Sequence, residues 1–374
     1  MALFLGVTVF SLALAYFCNN AEQVQLHIDS REKRYLSGQS TRQEVFNKWI
    51  CAAIYLILMA LSACRIASGN DYWGYAEMFD LISQGRPVSS EPGFNGVVLL
   101  MQFIFGQGKY LPIFGLFSIL TVFFFVKSIY DQGEWFVFSL FLFMMNGYYF
   151  SSFNSIRYYF VLGIAMFSMK YVLKGEYGKF ILWIVAAAFF HKSVLVVIPT
   201  YLIAAWLAKK GLRKWQIVVG VLLILSLIFG RDLYRKIIFV FYPYYEGSQF
   251  DHVEYSVTNI GKCAGTLFVA AVCYKRAIRD NIRNQFYLYL TLIGFVIYTL
   301  GAFIPEVSRI GYYFMVAHIF LLPNMLKNMK DGIWKKIFMA VVILAFIGHF
   351  ILFLKTAYSV DIRLLPYLNW IFNN

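Results

Sequence analysis

The chain has 374 residues, of which 60% are hydrophobic, 20% are aromatic and only 14% are charged. Soluble domains carry about a quarter of charged residues, so this composition excludes a sizeable soluble domain and indicates one integral membrane domain over residues 1–374. A net charge of +14 would suggest nucleic-acid binding in a soluble protein. In a membrane protein the enrichment of Lys and Arg on the cytoplasmic side explains this charge, so no nucleic-acid partner is expected.

Apolar segments follow one another along the chain and predict an all-α polytopic membrane protein with about 12 transmembrane helices. The first segment resembles a signal peptide, but it has no basic leading region, and we interpret it as a retained helix. The predicted segments are residues 2–18, 47–64, 110–127, 134–150, 157–174, 179–191, 194–208, 215–230, 260–276, 284–303, 309–326 and 336–354.

The loops between these segments alternate in charge, and this alternation predicts the orientation. Lys and Arg concentrate in one set of loops, at residues 31–42, 170–179, 209–214, 275–283 and 327–336. The positive-inside rule places these loops in the cytoplasm. Because the number of crossings is even, both termini are then expected outside.

Two apolar stretches are too short to fit a simple crossing. One lies near residues 94–106, and counting it as a crossing would move the basic loop at 170–179 to the outside, so it predicts a short re-entrant or interfacial helix. The other is the hairpin of 179–191 and 194–208, whose arms reach about 20 Å each, less than the ~30 Å hydrocarbon core. Its turn, with His191, is therefore expected below the outer surface, on the wall of a cavity that is open to the outside.

Three arginines and one histidine remain at the outer ends of predicted helices, where an ionisable residue is costly and is a candidate for function. Arg157 opens a helix, and a cation beside backbone N–H groups suits a phosphate, although an arginine that extends to the interface is the alternative. Arg309 follows Glu306 by three residues, so a local ion pair is its alternative role. His191 suits proton transfer or pairing with a phosphate, or is a structural turn residue.

Other polar residues of the outer loops are weaker candidates. Asn154 is either the N-cap of the Arg157 helix or a second ligand contact. Arg65 precedes Asp71, Tyr72 and Tyr75, a set that suits sugar hydroxyls but is also ordinary for a solvated loop.

Two further features bear on function. Leu233 to Phe241, in the outer loop 231–259, predicts an interfacial amphipathic helix, with an aromatic platform for sugar rings as the alternative. The chain has no Walker A or HExxH motif. Nucleotide-driven chemistry, a metal and a cofactor are therefore not expected.

Several short motifs, taken in order, resemble the EpsG-type family of polysaccharide polymerases, which is akin to the Wzy O-antigen polymerases. The motifs are Arg65–Tyr75, Glu91–Phe94, Asn154–Arg157, Phe190–Ser193, Ser308–Tyr313 and Leu365–Tyr367. One position departs from the pattern, because Tyr158 stands where such proteins often have Gln.

The resemblance implies a glycosyltransferase that joins oligosaccharide repeat units carried on undecaprenyl diphosphate into a surface polysaccharide, an O-antigen or exopolysaccharide. The reaction would take place at the outer face of the bacterial inner membrane, without a cofactor. The implied partners are the undecaprenyl-diphosphate-linked oligosaccharide, membrane lipids and a chain-length regulator. A glycan or solute transporter, a flippase and an O-antigen ligase-like transferase are the alternatives.

Within this reading each candidate residue has an expected role. Arg157 and Arg309 are expected to clamp the diphosphate. His191 is the base for the acceptor hydroxyl or a third phosphate contact. The residues expected on the substrate-binding side are Arg65, Asp71, Tyr72, Tyr75, Glu91, Asn154 and Glu306.

Overall fold

The computed structural model describes residues 1–20, 24, 42–211, 213–241, 243–248, 251–253, 255–359 and 362–371. Over these residues the chain is mostly helical. The β-structure found there is one antiparallel pair of two-residue strands, β1 (Arg65–Ile66) and β2 (Leu368–Asn369). The predicted all-α fold class is therefore confirmed. Except for Arg42, the predicted basic loop at 31–42 lies outside the described residues.

Six helices in the described part of the chain are long and apolar enough to cross a membrane, and a bent helix pair makes a seventh candidate. The six are Arg42–Ala63, Leu111–Gln132, Ile156–Lys174, Lys192–Lys210, Val257–Ile278 and Ile333–Thr356. Further apolar helices are shorter, with 10–17 residues. The chain is thus an all-α multi-pass membrane protein, while the count of twelve crossings stays a prediction.

The described contacts group the chain into two compact units, Met1–Leu195 with Lys330–Asn374, and Val196–Met329. The prediction of one membrane domain stays a prediction. The helices of the first unit are α1 (Ala2–Tyr16), α2 (Arg42–Ala63), α3 (Tyr72–Ser83), α4 (Pro92–Phe105), α5 (Leu111–Gln132), α6 (Phe136–Met145), α7 (Tyr148–Ser151), α8 (Ile156–Lys174), α9 (Tyr177–Ala188) and α17 (Ile333–Thr356). Those of the second unit are α10 (Val197–Lys210), α11 (Lys214–Phe229), α12 (Arg231–Phe241), α13 (Val257–Cys273), α14 (Ile282–Leu300), α15 (Val307–Met315) and α16 (His318–Asn328).

Helix α8 is the central element of the first unit. Its apolar window is 83% buried, against 22% for that of α17, and it packs along both α5 and α9. Gly163 permits a close approach of α5, because a Cβ there would lie 3.1 Å from the Cβ of Phe124. A side chain on the first turn of α8 is therefore held by a rigid, well-packed element.

Two glycines bring loops of the first unit against α8 and α9. Gly69 has φ +97°, and a Cβ there would lie 2.8 Å from the carbonyl oxygen of Phe153, just before α8. Gly93, in the first turn of α4, donates from its backbone N–H to the carbonyl of Phe189 at 2.9 Å. A Cβ on Gly93 would lie 2.8 Å from Phe189. These contacts place the segment before α3 beside the start of α8, and the start of α4 beside the end of α9.

Two predicted segments are broken in the structure. Residues 134–150 divide into α6 and α7 at Gly147, which has φ +75° and faces the ring of Phe353. Residues 309–326 divide into α15 and α16. There His318 Nδ1 donates to the carbonyl of Met315 at 2.5 Å, which satisfies an acceptor that a continuous helix would pair with Ile319.

The structure agrees with the sequence prediction for the short stretch near residues 94–106, and only in part for the hairpin of 179–191 and 194–208. Helix α4 has 14 residues, about 21 Å of helix, so it is too short to cross a bilayer, as expected for a re-entrant or interfacial helix. Helix α9 has 12 residues, about 18 Å, and is short as predicted. The expectation of a short second arm is wrong, because a 3₁₀ turn at Lys192–Val196 continues into α10 and gives a helix of 19 residues.

In the second unit α14 packs against α10, α13 and α15. The contact with α15 is closest at Gly311, where a Cβ would overlap the ring of Tyr298. Helices α11 and α12 meet at an angle of 81°. On α12 the side chains of Leu233, Ile237 and Val240 form one exposed apolar stripe, so the predicted amphipathic helix is present. Two aromatic residues of the alternative platform, Tyr242 and Phe250, lie outside the described residues.

Candidate functional site

Glu91 lies at the centre of a charged cluster in the first unit. Its Oε2 accepts a hydrogen bond from Arg157 Nη1 at 2.8 Å. Its Oε1 accepts from the backbone N–H of Lys192 at 3.0 Å and lies 3.3 Å from His191 Nδ1. The structure therefore brings together three of the residues that the sequence singled out, and the carboxylate joins the arginine to the histidine.

Three separate elements deliver these side chains. Glu91 occupies the N-cap position of α4, directly before a proline that fixes the first turn. Arg157 is the second residue of α8, and His191 follows the end of α9. The hydrogen bond from Gly93 to Phe189 fixes the start of α4 against the turn that carries His191. The cluster thus depends on close packing between segments about 100 residues apart.

Arg157 packs against two neighbouring aromatic rings. Its guanidinium carbon lies 5.1 Å from the ring centre of Phe94 and 5.8 Å from that of Tyr75. Its Nε is buried and has no hydrogen-bond partner among the described residues, whereas the side chain as a whole is 17% exposed. The guanidinium is therefore partly exposed, packs against aromatic rings and pairs with one carboxylate.

Glu91 is ionised at any ordinary pH. Burial raises its pKa, but the hydrogen bonds from His191 and from the Lys192 backbone, with the positive charge of Arg157, outweigh burial and lower the pKa to about 2. The side chain is 13% exposed. The carboxylate and the guanidinium thus form a neutral pair at the edge of the protein interior.

The contact with Glu91 determines which nitrogen of His191 is basic. A carboxylate can only accept, so Nδ1–H donates to it and the lone pair of the neutral ring is on Nε2. The ring of Tyr158 meets the imidazole edge to face, with centroids 5.9 Å apart. The departure from the family pattern at Tyr158 therefore places an aromatic residue directly against the candidate base.

A second polar cluster lies beside the first. Ser155 Oγ donates to Asp71 Oδ2 at 2.6 Å, and the backbone N–H of Asp71 donates to Asn154 Oδ1 at 2.8 Å. The N-cap of α8 is Ser155, so the N-cap role considered for Asn154 is wrong, because its side chain binds the segment that starts α3. The hydroxyl of Tyr75 lies near both Asp71 and Arg157; burial is the main cause of its raised pKa, so it stays protonated.

Arg65 and Tyr72 lie in the interior. Arg65 is 0% exposed, and its Nη1 donates to the carbonyl of Ser62 and to the hydroxyl of Ser118, both at 2.5 Å. Burial lowers its pKa to about 10, which leaves it charged at neutral pH. Tyr72 stacks on Phe114, with ring centroids 4.3 Å apart. The structure does not bring either side chain into contact with Glu91.

Arg309 and Glu306 lie in the second unit, where they form the ion pair that their spacing suggested. Arg309 Nε lies 3.2 Å from Glu306 Oε2, and the two side chains are 37% and 22% exposed. Glu306 has φ +54°, the left-handed region that few residues other than glycine adopt, at the start of α15. The pair is a feature of that helix start.

The sequence did not predict how Glu91 is shared. It also missed Phe94 and Ser155 as contacts of Arg157 and Asp71. Phe94 follows the start of α4 and Ser155 precedes that of α8, and both lie in motifs of the resemblance, but neither signal indicated these contacts. In the described part of the chain no three His, Cys, Asp or Glu side chains lie together as metal ligands would.

Comparison with known proteins found one relationship. A model described as the EpsG family matches residues 48–369, which include all the motifs on which the resemblance rests. A search of curated proteins and a search of solved structures each found no match.

Proposed function

The chain belongs to the EpsG family, and from this membership we propose that it polymerises oligosaccharide repeat units carried on undecaprenyl diphosphate at the outer face of the bacterial inner membrane. The observation that carries the proposal is the Glu91 cluster. It combines a phosphate-binding group, Arg157, with a candidate base, His191, at a partly exposed surface. These are the two functions that glycosyl transfer from a lipid diphosphate requires.

The proposed reaction is a displacement at the anomeric carbon of the growing chain. His191 Nε2 takes the proton of the acceptor hydroxyl, and that oxygen forms the new glycosidic bond. The bond from the anomeric carbon to the phosphate oxygen breaks, and its electron pair leaves on undecaprenyl diphosphate. Arg157 stabilises the charge that develops on the leaving group.

The remaining candidate residues are proposed either to contact the substrate or to support those that do. Tyr75 lies next to Arg157 and near Asp71, and both Tyr75 and Asp71 are proposed to contact the acceptor sugar. Asn154 holds Asp71 in place. Arg65 and Tyr72 are proposed to support this side from the interior. In the second unit, Arg309 with its neighbour Glu306 is proposed as a phosphate-binding residue on the separate ground of its exposed position at a helix start.

The test is the length of the polysaccharide made by Arg157→Ala in living cells. We expect surface lipid that carries single repeat units in place of long polymer. Arg86→Ala is the matched control, because Arg86 is an exposed arginine in a loop that is also predicted to lie on the outer side of the membrane. Unchanged long polymer in Arg157→Ala would contradict the proposal. Lipid-linked units that accumulate on the cytoplasmic side would favour a flippase, and long polymer that fails to leave its lipid would favour a ligase.

Twelve crossings with both termini outside remain part of the proposal. The described helices supply a helix for each predicted segment, of which several have fewer than 18 residues. Labelling of Lys192→Cys by a membrane-impermeant thiol reagent tests this topology. Labelling only from the outside is expected, and labelling only from the cytoplasm would contradict the predicted orientation of the helices in the membrane.

A further inference from the structure

The two oxygens of Glu91 serve two different groups. Oε2 binds Arg157 Nη1, a donor that a phosphate oxygen would also use. Oε1 is held by Lys192 N–H and by His191 Nδ1. A diphosphate that binds Arg157 therefore competes with Oε2, whereas it leaves the contacts of Oε1 intact.

We propose that Glu91 is a positioning residue that changes partners during the reaction: the diphosphate takes Arg157 away from Glu91, and the carboxylate then serves His191. This inference rests on the proposed function. This exchange would couple the binding of the donor to the activation of the base. The carboxylate of Glu91, no longer neutralised by Arg157, would stabilise the positive charge that the imidazole of His191 gains when it accepts a proton.

The geometry favours such an exchange. The Arg157 side chain is 17% exposed and packs against the neighbouring rings of Phe94 and Tyr75, so it is open to a ligand other than Glu91. Among the described contacts the carboxylate holds the guanidinium through one hydrogen bond, from Nη1, so a diphosphate, which offers several acceptor oxygens, can replace that bond. A diphosphate also carries more negative charge than a carboxylate.

Glu91 itself would stay in place after the exchange. The Lys192 backbone N–H is fixed at the start of the Lys192–Val196 turn. The start of α4 is fixed by the Gly93–Phe189 contact. The charged and titratable groups that face the carboxylate are Arg157 and His191, and the Lys192 side chain is exposed.

The test is Glu91→Gln, because glutamine keeps an oxygen for Lys192 N–H and His191 but cannot hold Arg157 by charge. If Glu91 competes with the donor, the variant should bind undecaprenyl diphosphate in nanodiscs about fivefold more tightly. Its kcat for transfer should fall about tenfold or more, since the base loses its carboxylate. A residue that only supports the fold would weaken binding and slow transfer together.

Two further variants complete the experiment. Glu77→Gln, an exposed glutamate on α3, should leave both binding and transfer unchanged. Glu91→Asp keeps the charge, so its affinity for undecaprenyl diphosphate should move back toward that of the wild type. It also serves as the readout if Glu91→Gln does not fold. Equal or weaker binding in Glu91→Gln, or weaker binding in Glu91→Asp than in wild type when only that variant folds, would overturn the exchange.

Failure of this inference can be told from failure of the proposed function by Arg157→Ala. If that variant loses binding of undecaprenyl diphosphate while Glu91→Gln does not gain it, the exchange is wrong and the function stands. If wild type and Arg157→Ala bind the lipid equally, Arg157 is not a diphosphate site, and both proposals fail at this cluster.

Discussion

Arg65 and Arg157 differ in what surrounds the guanidinium. Arg157 contacts a carboxylate and is 17% exposed. Arg65 is fully buried between the rings of Phe114 and Phe153, and its hydrogen bonds go to two serines. Of these two arginines, Arg157 is therefore the one that we propose contacts the substrate. Arg65 joins the end of α2 to α5 through Ser118.

The first prediction concerns the structural role of Arg65. Arg65→Ala should lower the free energy of unfolding by about 3 kcal/mol, because it removes buried hydrogen bonds and leaves a cavity. Unfolding in mixed micelles measures this loss. Arg65→Lys, tested at a temperature where it remains folded, should retain the wild-type affinity for undecaprenyl diphosphate. A fall in that affinity with unchanged stability would assign Arg65 to the substrate instead.

The second prediction follows from the pKa of Glu91. Its value of about 2 in the folded protein lies below the ordinary 4.5, so the ionised group stabilises the fold above pH 4.5 and loses this effect as the pH falls toward 2. The contribution is about 2–3 kcal/mol. We expect the stability difference between wild type and Glu91→Gln, measured by thermal unfolding in detergent, to shrink between pH 5 and pH 3.

A constant difference over that pH range would contradict the low pKa of Glu91. His191 contacts Glu91 directly, so the comparison is repeated in a His191→Gln background. The pH dependence below 4.5 should persist there.

At the scale of elements, the contact between α4 and the end of α9 decides the geometry of the cluster. Gly93→Ala places a methyl group 2.8 Å from Phe189, so α4 must shift and Glu91 must move from His191. We expect the rate of transfer to fall at least about tenfold, since sub-ångström placement matters for such contacts. Gly96→Ala, on the same helix with open space around the new methyl group, is the matched control.

The folded state of both glycine variants is compared by thermal unfolding in detergent. Equal rates of transfer in Gly93→Ala and Gly96→Ala would show that the α4–α9 contact does not position Glu91. A loss of folded Gly93→Ala protein would instead mean that this contact is needed for folding.

Elements could be predicted from the sequence better than their contacts. Apolar runs gave a helix at each of the predicted segments, and the amphipathic pattern of Leu233 to Phe241 gave α12. The breaks at Gly147 and at Met315 were missed, because one depends on the distant ring of Phe353 and the other on a side-chain hydrogen bond of His318. Helix lengths near the limit for crossing a bilayer leave the number of spans open.

In the candidate site, too, individual residues could be predicted from the sequence but their contacts could not. Arg157 and His191 stood out because charge near bilayer depth is rare. That Glu91 joins them could not be predicted, since it lies 66 residues from Arg157 and 100 from His191. The packing of Gly93 on Phe189 brings Glu91 to His191.

At the scale of the whole molecule, helix α8 carries an ion cluster at each end. Near its start Arg157 pairs with Glu91. Near its end Lys170 pairs with Asp131 of α5 at 2.6 Å, and Lys127 shares the same carboxylate. Asp131 and Lys170 are 5% and 8% exposed, so this second cluster is more deeply buried than the first. Arg157 and Lys170 are about 20 Å apart along the helix.

This arrangement predicts that the two clusters contribute separately. Asp131→Asn removes the shared partner of two lysines and should lower the free energy of unfolding by about 3 kcal/mol, while the affinity for undecaprenyl diphosphate stays at its wild-type value. Combined with Glu91→Gln, the losses of stability should add to within about 0.5 kcal/mol, because the clusters share no partner. Unfolding of the single and double variants in mixed micelles measures the sum.

The pair Glu91→Gln and His191→Gln should instead deviate from additivity by about 1 kcal/mol or more, since these residues touch. Coupling between Asp131 and Glu91 as large as that between Glu91 and His191 would contradict this prediction. It would mean that α8 transmits structural changes between the Asp131 cluster at its end and the Glu91 cluster at its start.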